Sequence, residues 1–299
     1  MPTKKRKKSA GLLSHGRPPT IQKPATLSSQ ATRSLIRTHH ALQKRLTAAL
    51  AANNTALAAS LQAQIDAAGG LPKYQQASIT GQSSNRGGDS SRVLVDWLSP
   101  LLSRDKSTAD AVSHPPLRLL EVGALSPSNA CSRSPLFSVT RIDLHSQHPS
   151  EIEEQDFMER PVPEGAEALD REGFDVVSLS LVVNYVPDAA ERGEMLRRVV
   201  KFLRRRSGRQ GGAGLGETMP ALFLVLPAPC VLNSRYLDEG RLEAIMGSLG
   251  YVLKERKVSR KLVYYLWRLE GSNKGRRRAW KKEELKPGGA RNNFAIVLQ

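Results

Sequence analysis

Leu117-Arg-Leu-Leu-Glu-Val-Gly123, then a short irregular stretch, then Phe137-Ser-Val-Thr-Arg-Ile-Asp143, reads as two strands of a nucleotide-binding α/β sheet. The first apolar run ends on a glycine and the second on an acid. In such a fold the glycine lets the backbone come close to a ligand where a Cβ would block it, and an acid about 20 residues on accepts hydrogen bonds from ribose hydroxyls. Gly123 and Asp143 have that spacing. The usual Gly-x-Gly-x-x-Gly is absent, Ala124, Ser126 and Ser128 stand in its place, and no long helix fits before Phe137. A pyrophosphate cradled on a helix N-terminus is therefore disfavoured. A nucleoside ligand without phosphates, S-adenosylmethionine above all, suits the pattern. Two core strands with a turn glycine and a merely exposed Asp143 would use the same residues.

The chain around this pair has 299 residues, enough for one globular domain with extensions. Lys and Arg number 45 against 28 Asp and Glu, a formal charge of +17 that points to nucleic acid or another polyanion, or to a plainly basic soluble protein. Cys131 and Cys230 stand far apart without the His or Cys neighbours of a zinc site, so a reduced, metal-free intracellular protein is expected. No run approaches a membrane span, and the basic N-terminus lacks a following apolar segment, which argues against membrane insertion and secretion.

Four regions are expected: a basic tail over 1–30, a helical extension with an Arg-Gly-Gly-Asp-Ser-Ser loop over 31–115, a Rossmann-like domain over 116–270, and a basic tail over 271–299. Lys4-Lys-Arg-Lys-Lys8 reads as a nuclear-targeting signal, an RNA-contacting arm or a solubilising tail. From Ala31 to Ala68 the leucines and Ile65 recur at helical spacing, with Asn53-Asn54 a break between two helices and Gly69-Gly70 a stop. His39 and His40 fall inside this stretch and carry no assigned role. Asp89 or Ser90 can cap the helix carrying Val93, Leu94 and Trp97, and Arg86 with Gln82 either belongs to that capped turn or reaches the cofactor cleft, where a guanidinium pairs with a carboxylate.

Beyond Asp143, Asp156-Phe157 sits at the expected end of a third short strand, either as an adenine amine acceptor with an aromatic face or as a loop acid beside a core Phe. Phe174 to Pro187 gives a buried strand whose carboxyl end carries Ser178, Ser180, Asn184 and Tyr185, where ligands lie in open α/β sheets. Asp188 can cap a helix over 189–206. A strand over 221–226, a substrate-side loop over 227–236, a helix over 238–249 and an antiparallel pair follow. The tail surrounds Trp280 with cations from Lys274 to Arg291 and closes on the apolar run 294–298. That composition suits a phosphate-binding arm that stacks a base, or a solvated tail whose apolar end docks back.

This order of elements matches a class I methyltransferase sheet of seven strands, expected order 3-2-1-4-5-7-6. The blocks Tyr-Gln-x-Ala-Ser (74 to 78), Gly-Gln-Ser-Ser (81 to 84), Arg-Gly-Gly-Asp-Ser-Ser (86 to 91), Leu-Glu-Val-Gly-Ala-Leu (120 to 125), Ile-Asp-Leu (142 to 144), Gln-Asp-Phe (155 to 157), Ser-Leu-Val-Val-Asn-Tyr-Val-Pro (180 to 187), Glu-Arg-Gly-Glu-Met (191 to 195), Asn-Ser-Arg-Tyr (233 to 236) and Arg-Asn-Asn-Phe-Ala-Ile-Val-Leu (291 to 298) resemble the fungal nucleolar 25S ribosomal RNA adenine-N1 methyltransferases. The resemblance runs from about residue 72 to the end. It implies a nucleolar enzyme that uses S-adenosylmethionine to methylate one adenine of large-subunit RNA, free or in a pre-ribosomal particle, with Gly123 and Asp143 at the cofactor. Animal relatives act as S-adenosylmethionine sensors, so a binding-only role is the second expectation. Adenine N1 has a free in-plane lone pair, so transfer needs positioning more than proton removal, and Asn184 and Tyr185 are placed to hold a base taken out of its stack. A monomer without metal is expected.

Overall fold

The computed structural model describes residues 28–81, 88–105, 115–204, 215–271 and 279–299. Its centre is a sheet of seven strands: β1 (Leu117–Val122), β2 (Phe137–Asp143), β3 (Glu153–Glu154), β4 (Val176–Ser180), β5 (Ala221–Pro227), β6 (Tyr251–Val258) and β7 (Leu262–Leu269). The strand order is β3-β2-β1-β4-β5-β7-β6, parallel except for β7, which runs antiparallel to both neighbours. This is the expected topology of a class I methyltransferase.

Period-2 alternation sends side chains of the central strands into two separate cores, which is why these strands read as continuous apolar runs. On one face Leu120, Val177, Leu222, Leu224, Tyr265 and Trp267 pack together; on the other Leu117, Leu119, Val176, Phe223, Val225 and Leu266 do. Helices α7 (Ala189–Val199) and α9 (Glu239–Ser248) cover the first face, joined by Trp280 and a C-terminal strap in which Phe294, Ile296 and Leu298 are buried. The second face is covered by α4 (Ser91–Asp105), through Val93, Leu94 and Leu98, and by the four-residue α5 (Ala130–Arg133). Helix α6 (Gly165–Glu172) and the short α8 (Ala228–Leu232) complete the sheet's connections.

The helical extension is three helices, α1 (Ser29–Ala51), α2 (Thr55–Ala67) and α3 (Gly70–Gly81). Asn54 caps α2 by accepting from the Leu57 N–H, so the Asn53-Asn54 break is where the sequence puts it. Gly69 and Gly70, both at positive φ, end α2 but immediately start α3, a helix the sequence reading did not contain. Helix α7 stops at Val199 rather than 206, because Phe202 and Leu203 turn down to bridge Phe174. Lys4–Lys8, Gln82, Arg86 and the cations from Lys274 to Arg278 lie outside the described residues.

Candidate functional site

The carboxyl ends of β1, β2 and β4 lie side by side, β1 being paired in parallel with both neighbours, and the site is built at that end of the sheet. Gly123 takes φ +74°, and its N–H, like that of Ala124, donates to the Ile142 carbonyl (2.8 and 3.1 Å), which joins the ends of β1 and β2. A Cβ here would lie 2.8 Å from Val182 Cγ2, so the glycine is demanded both by its backbone angle and by the loop after β4 passing over it. Asp143 ends β2 with one carboxylate oxygen accepting from the His145 N–H (2.9 Å); burial raises its pKa. The Gln155 N–H donates to the Asp143 carbonyl (2.9 Å), which brings Asp156 alongside, where it heads a turn by accepting from Met158 N–H (2.7 Å). At the end of β4 the Ser180 hydroxyl meets that of Ser90 at 2.6 Å, linking the strand to the start of α4. Leu181, next in line, sits at φ +59°, a left-handed conformation that costs roughly 1–2 kcal/mol for a side-chain-bearing residue. Strain of this kind is held where a loop must be aimed. Three residues on, Asn184 Oδ1 is buried without a hydrogen-bond partner.

Beneath Gly123, Glu121 is buried and accepts from Asn129 Nδ2 (2.6 Å) and from the Cys131 thiol (3.6 Å). Burial pushes its carboxyl up to about 7, against the opposing pull of the Asn129 bond. Asp89 accepts from the Ser91 and Ala130 N–H groups, and Ser91 Oγ accepts from Cys131 N–H (3.1 Å). The Asp89 cap thus fastens the start of α4 to α5. With only four residues, α5 offers no long helix to a pyrophosphate, as the spacing before Phe137 predicted.

The helical extension packs against the loops after β2 and β4 and brings His39 and His40, which carry no assigned role in the sequence, to that end of the sheet. His39 is buried and stacks on Tyr74 (centroids 4.5 Å, planes 16° apart); His40 lies 4.2 Å from the Tyr185 ring, and Tyr74 meets Tyr185 edge-on at 6.0 Å. Burial, then the neighbouring His39, lowers the His40 imidazole to about 4, so it is neutral, and its Nε2 has no partner. Burial raises both phenols, Tyr74 and Tyr185. From α3, Gln75 Nε2 donates to the His145 carbonyl (2.7 Å) and Gln75 Oε1 accepts from Gln147, so the same helix grips the loop after Asp143. A signal was available: Leu35, His39, Leu42 and Leu46 share one stripe at helical spacing, which places His39 on the buried face.

Three aromatic side chains are already engaged within the protein. Phe157 is 2% exposed and packs in the core against Phe202 (5.4 Å), so its ring is not free to face an adenine. Leu144, next to Asp143, is 58% exposed. The Tyr185 ring is engaged by His40 and Tyr74. Trp280, offered as a stacking residue, is likewise buried, with its indole N–H donating to Ser248 Oγ (3.0 Å).

An acid with spare acceptor capacity at the end of β2, a second acid beside it, an exposed leucine between strand and loop and, among the described residues, no long helix after β1 to cradle a phosphate fit a phosphate-free purine nucleoside such as S-adenosylmethionine. With the 3-2-1-4-5-7-6 sheet they define a class I methyltransferase. The particular family follows from comparison with known proteins. The model of the family described as 25S rRNA (adenine(2142)-N(1))-methyltransferase, Bmt2, matches residues 59–296, and the chain belongs to that family. The 25S rRNA adenine-N(1) methyltransferase of Schizosaccharomyces pombe is 39% identical over 229 residues, 76% of each chain. The 25S rRNA (adenine(2142)-N(1))-methyltransferase of Saccharomyces cerevisiae is 38% identical over 236 residues, 79% of this chain and 62% of the yeast protein. A solved structure of the 16S rRNA methylase RmtB aligns over 80% of this chain and 98% of its own at 12% identity, TM-score 0.38.

Proposed function

We propose that this chain is an S-adenosylmethionine-dependent methyltransferase that methylates N1 of one adenine in large-subunit ribosomal RNA, acting in the nucleolus as a monomer. The observation that carries the reading is family membership across residues 59–296, on a sheet whose β1, β2 and β4 ends hold Gly123, Asp143 and Ser180 side by side. Asp143 accepts from the ribose hydroxyls, Asp156 from the adenine amine, and Leu144 packs on the purine face. Arg86, outside the described residues, remains the candidate for the methionine carboxylate. Among the described residues no group of His, Cys, Asp and Glu could hold a metal ion, and no helix is long and apolar enough to cross a membrane.

Bound there, S-adenosylmethionine would supply a sulfonium methyl carbon for attack by the N1 lone pair, the N–C bond forming as the C–S bond breaks, S-adenosylhomocysteine leaving with that electron pair and the positive charge passing to the base, so no proton need be removed. The protein's task is then positioning. Asn184, its side-chain oxygen buried and unpaired, accepts the adenine's exocyclic N–H once a base enters, a role its unmet hydrogen-bond capacity supports. Tyr185, wedged by His40 and Tyr74, fixes the loop that carries Asn184. To test the reading, the protein is incubated with labelled cofactor and unmodified large-subunit RNA, and reverse-transcription stops are mapped. One strong stop at a single adenine is expected. No transfer to RNA, together with cofactor-dependent capture of a protein complex, would replace the enzyme with a sensor.

A further inference from the structure

We infer that the RNA backbone docks on a basic rim of the folded domain at the carboxyl end of β5, formed by Arg235, Arg260 and Arg291, and not chiefly on the clusters Lys4–Lys8 and Lys274–Arg278. The inference rests on the proposed RNA substrate and names the surface that receives it. Three segments distant in sequence meet there. The β6–β7 turn (259–261) lies at that end because β7 is antiparallel to β5 with Pro227 opposite Leu262, and the Ala228 N–H donates to the Lys261 carbonyl (2.7 Å). The segment after α8 is paired with the C-terminal strap: Arg235 N–H donates to the Asn292 carbonyl and Asn292 N–H to the Asn233 carbonyl, both at 3.0 Å. Arg235 Nε donates to the Gly288 carbonyl (3.1 Å) and Arg291 Nε to the Pro287 carbonyl (3.2 Å), so both guanidiniums are aimed by neutral backbone acceptors. None of the three arginines forms an ion pair with a carboxylate among the described residues, and Arg260 is exposed. Other cations nearby are already engaged: Lys286 with Asp238 (3.2 Å), Arg241 with Glu283 (3.0 Å), Arg256 with Glu239 (2.7 Å), and Lys282 over the Tyr236 ring (4.4 Å). Three guanidiniums without carboxylate partners, on a laced and therefore rigid rim beyond the cofactor strands, suit a phosphate backbone, which guanidinium binds in bidentate fashion.

The test measures binding of an unmodified large-subunit RNA fragment by the full chain across a salt series, with cofactor affinity measured in parallel. In the triple variant Arg235→Gln/Arg260→Gln/Arg291→Gln the slope of log K against log salt should fall by about two to three, since each lost phosphate contact removes roughly 0.7–0.9. Arg260→Glu alone, which breaks no hydrogen bond, should lower RNA affinity and the slope by about one, with cofactor affinity unchanged. An unaltered slope in both variants, with RNA binding lost instead on neutralising Lys4–Lys8 and the cations from Lys274 to Arg278, would overturn the rim. Failure of the wild type to methylate the fragment while the rim variants still lose RNA affinity would count against the enzyme reading and leave the surface standing.

Discussion

Gly193→Ala should loosen the C-terminal strap. A Cβ at Gly193 would lie 1.8 Å from the Val297 carbonyl oxygen and 2.8 Å from Leu298 Cδ2, far inside contact distance, so either α7 or the strap must move. Helix α7 is the less free of the two, capped by Asp188 and buried through Met195, Leu196 and Val199. The strap is held by Val297 N–H to the Ala189 carbonyl (2.9 Å), the Trp280–Leu298 pair (2.7 and 3.1 Å), Ser234 Oγ to the Phe294 carbonyl (2.6 Å), and Arg192 Nη1 to the Ala295 carbonyl (2.8 Å). Partial undocking that exposes Leu298 and part of Ile296 costs about 3 kcal/mol by transfer, with about 1 kcal/mol for each backbone bond lost, and overpacking alone costs roughly 1–3 kcal/mol. The variant should therefore be about 2–5 kcal/mol less stable, a fall in Tm of roughly 4–20 °C at about 2–4 °C per kcal/mol. Urea denaturation gives the difference, and carboxypeptidase digestion should release the C-terminus faster than in the wild type. Deleting residues 294–299 should then cost much less in Gly193→Ala than in the wild type, because the two changes remove the same contacts. Wild-type stability within 0.5 kcal/mol, with additive costs, would show that the helix accommodates the methyl and that the strap is not its constraint.

Other perturbations address the cleft. Because burial raises the Glu121 carboxyl to about 7, the folded state binds this proton more tightly than the unfolded chain, so its contribution is complete below about pH 4.5 and is lost as pH rises through 7. Glu121→Gln should flatten the pH profile of stability by up to about 3 kcal/mol between pH 4.5 and 8; an unchanged profile by chemical denaturation would mean the group is solvated. Leu144→Asp should weaken cofactor binding about tenfold to a hundredfold, from lost apolar contact and a second charge beside Asp143, and calorimetry showing equal affinity would remove Leu144 from the purine face. Tyr185→Ala should lower the single-turnover rate about tenfold or more while Tyr185→Phe keeps most of it, since the ring's wedging between His40 and Tyr74 is what positions the loop; equal losses in both would give the role to the hydroxyl.

The sheet was legible because its central strands bury both faces, so Leu117–Val122, Val176–Ser180 and Ala221–Pro227 announce themselves as apolar runs, and because Gly123 and Asp143 terminate neighbouring strands. Asp188 caps its helix as its position indicates. What local pattern does not contain is which elements meet. Phe157 is an aromatic beside an acid in either environment, and only the third-dimension approach of Phe202 assigns it to the core. Trp280 sits among cations in sequence yet is covered by Arg241 and the strap in space. His39, His40 and Tyr74 become cleft residues only because α1 and α3 fold back over the β4 loop, more than a hundred residues downstream of His40.

The most direct test of the methyltransferase account is nucleoside mass spectrometry of unmodified large-subunit RNA after incubation with cofactor carrying a deuterated methyl group. One labelled N1-methyladenosine per RNA is the predicted product with the wild-type chain, and none with Gly123→Arg, whose side chain would fill the space under Val182. Label on the exocyclic amine instead of N1, or equal label with Gly123→Arg that folds normally, would contradict the assignment of this cleft to adenine-N1 transfer.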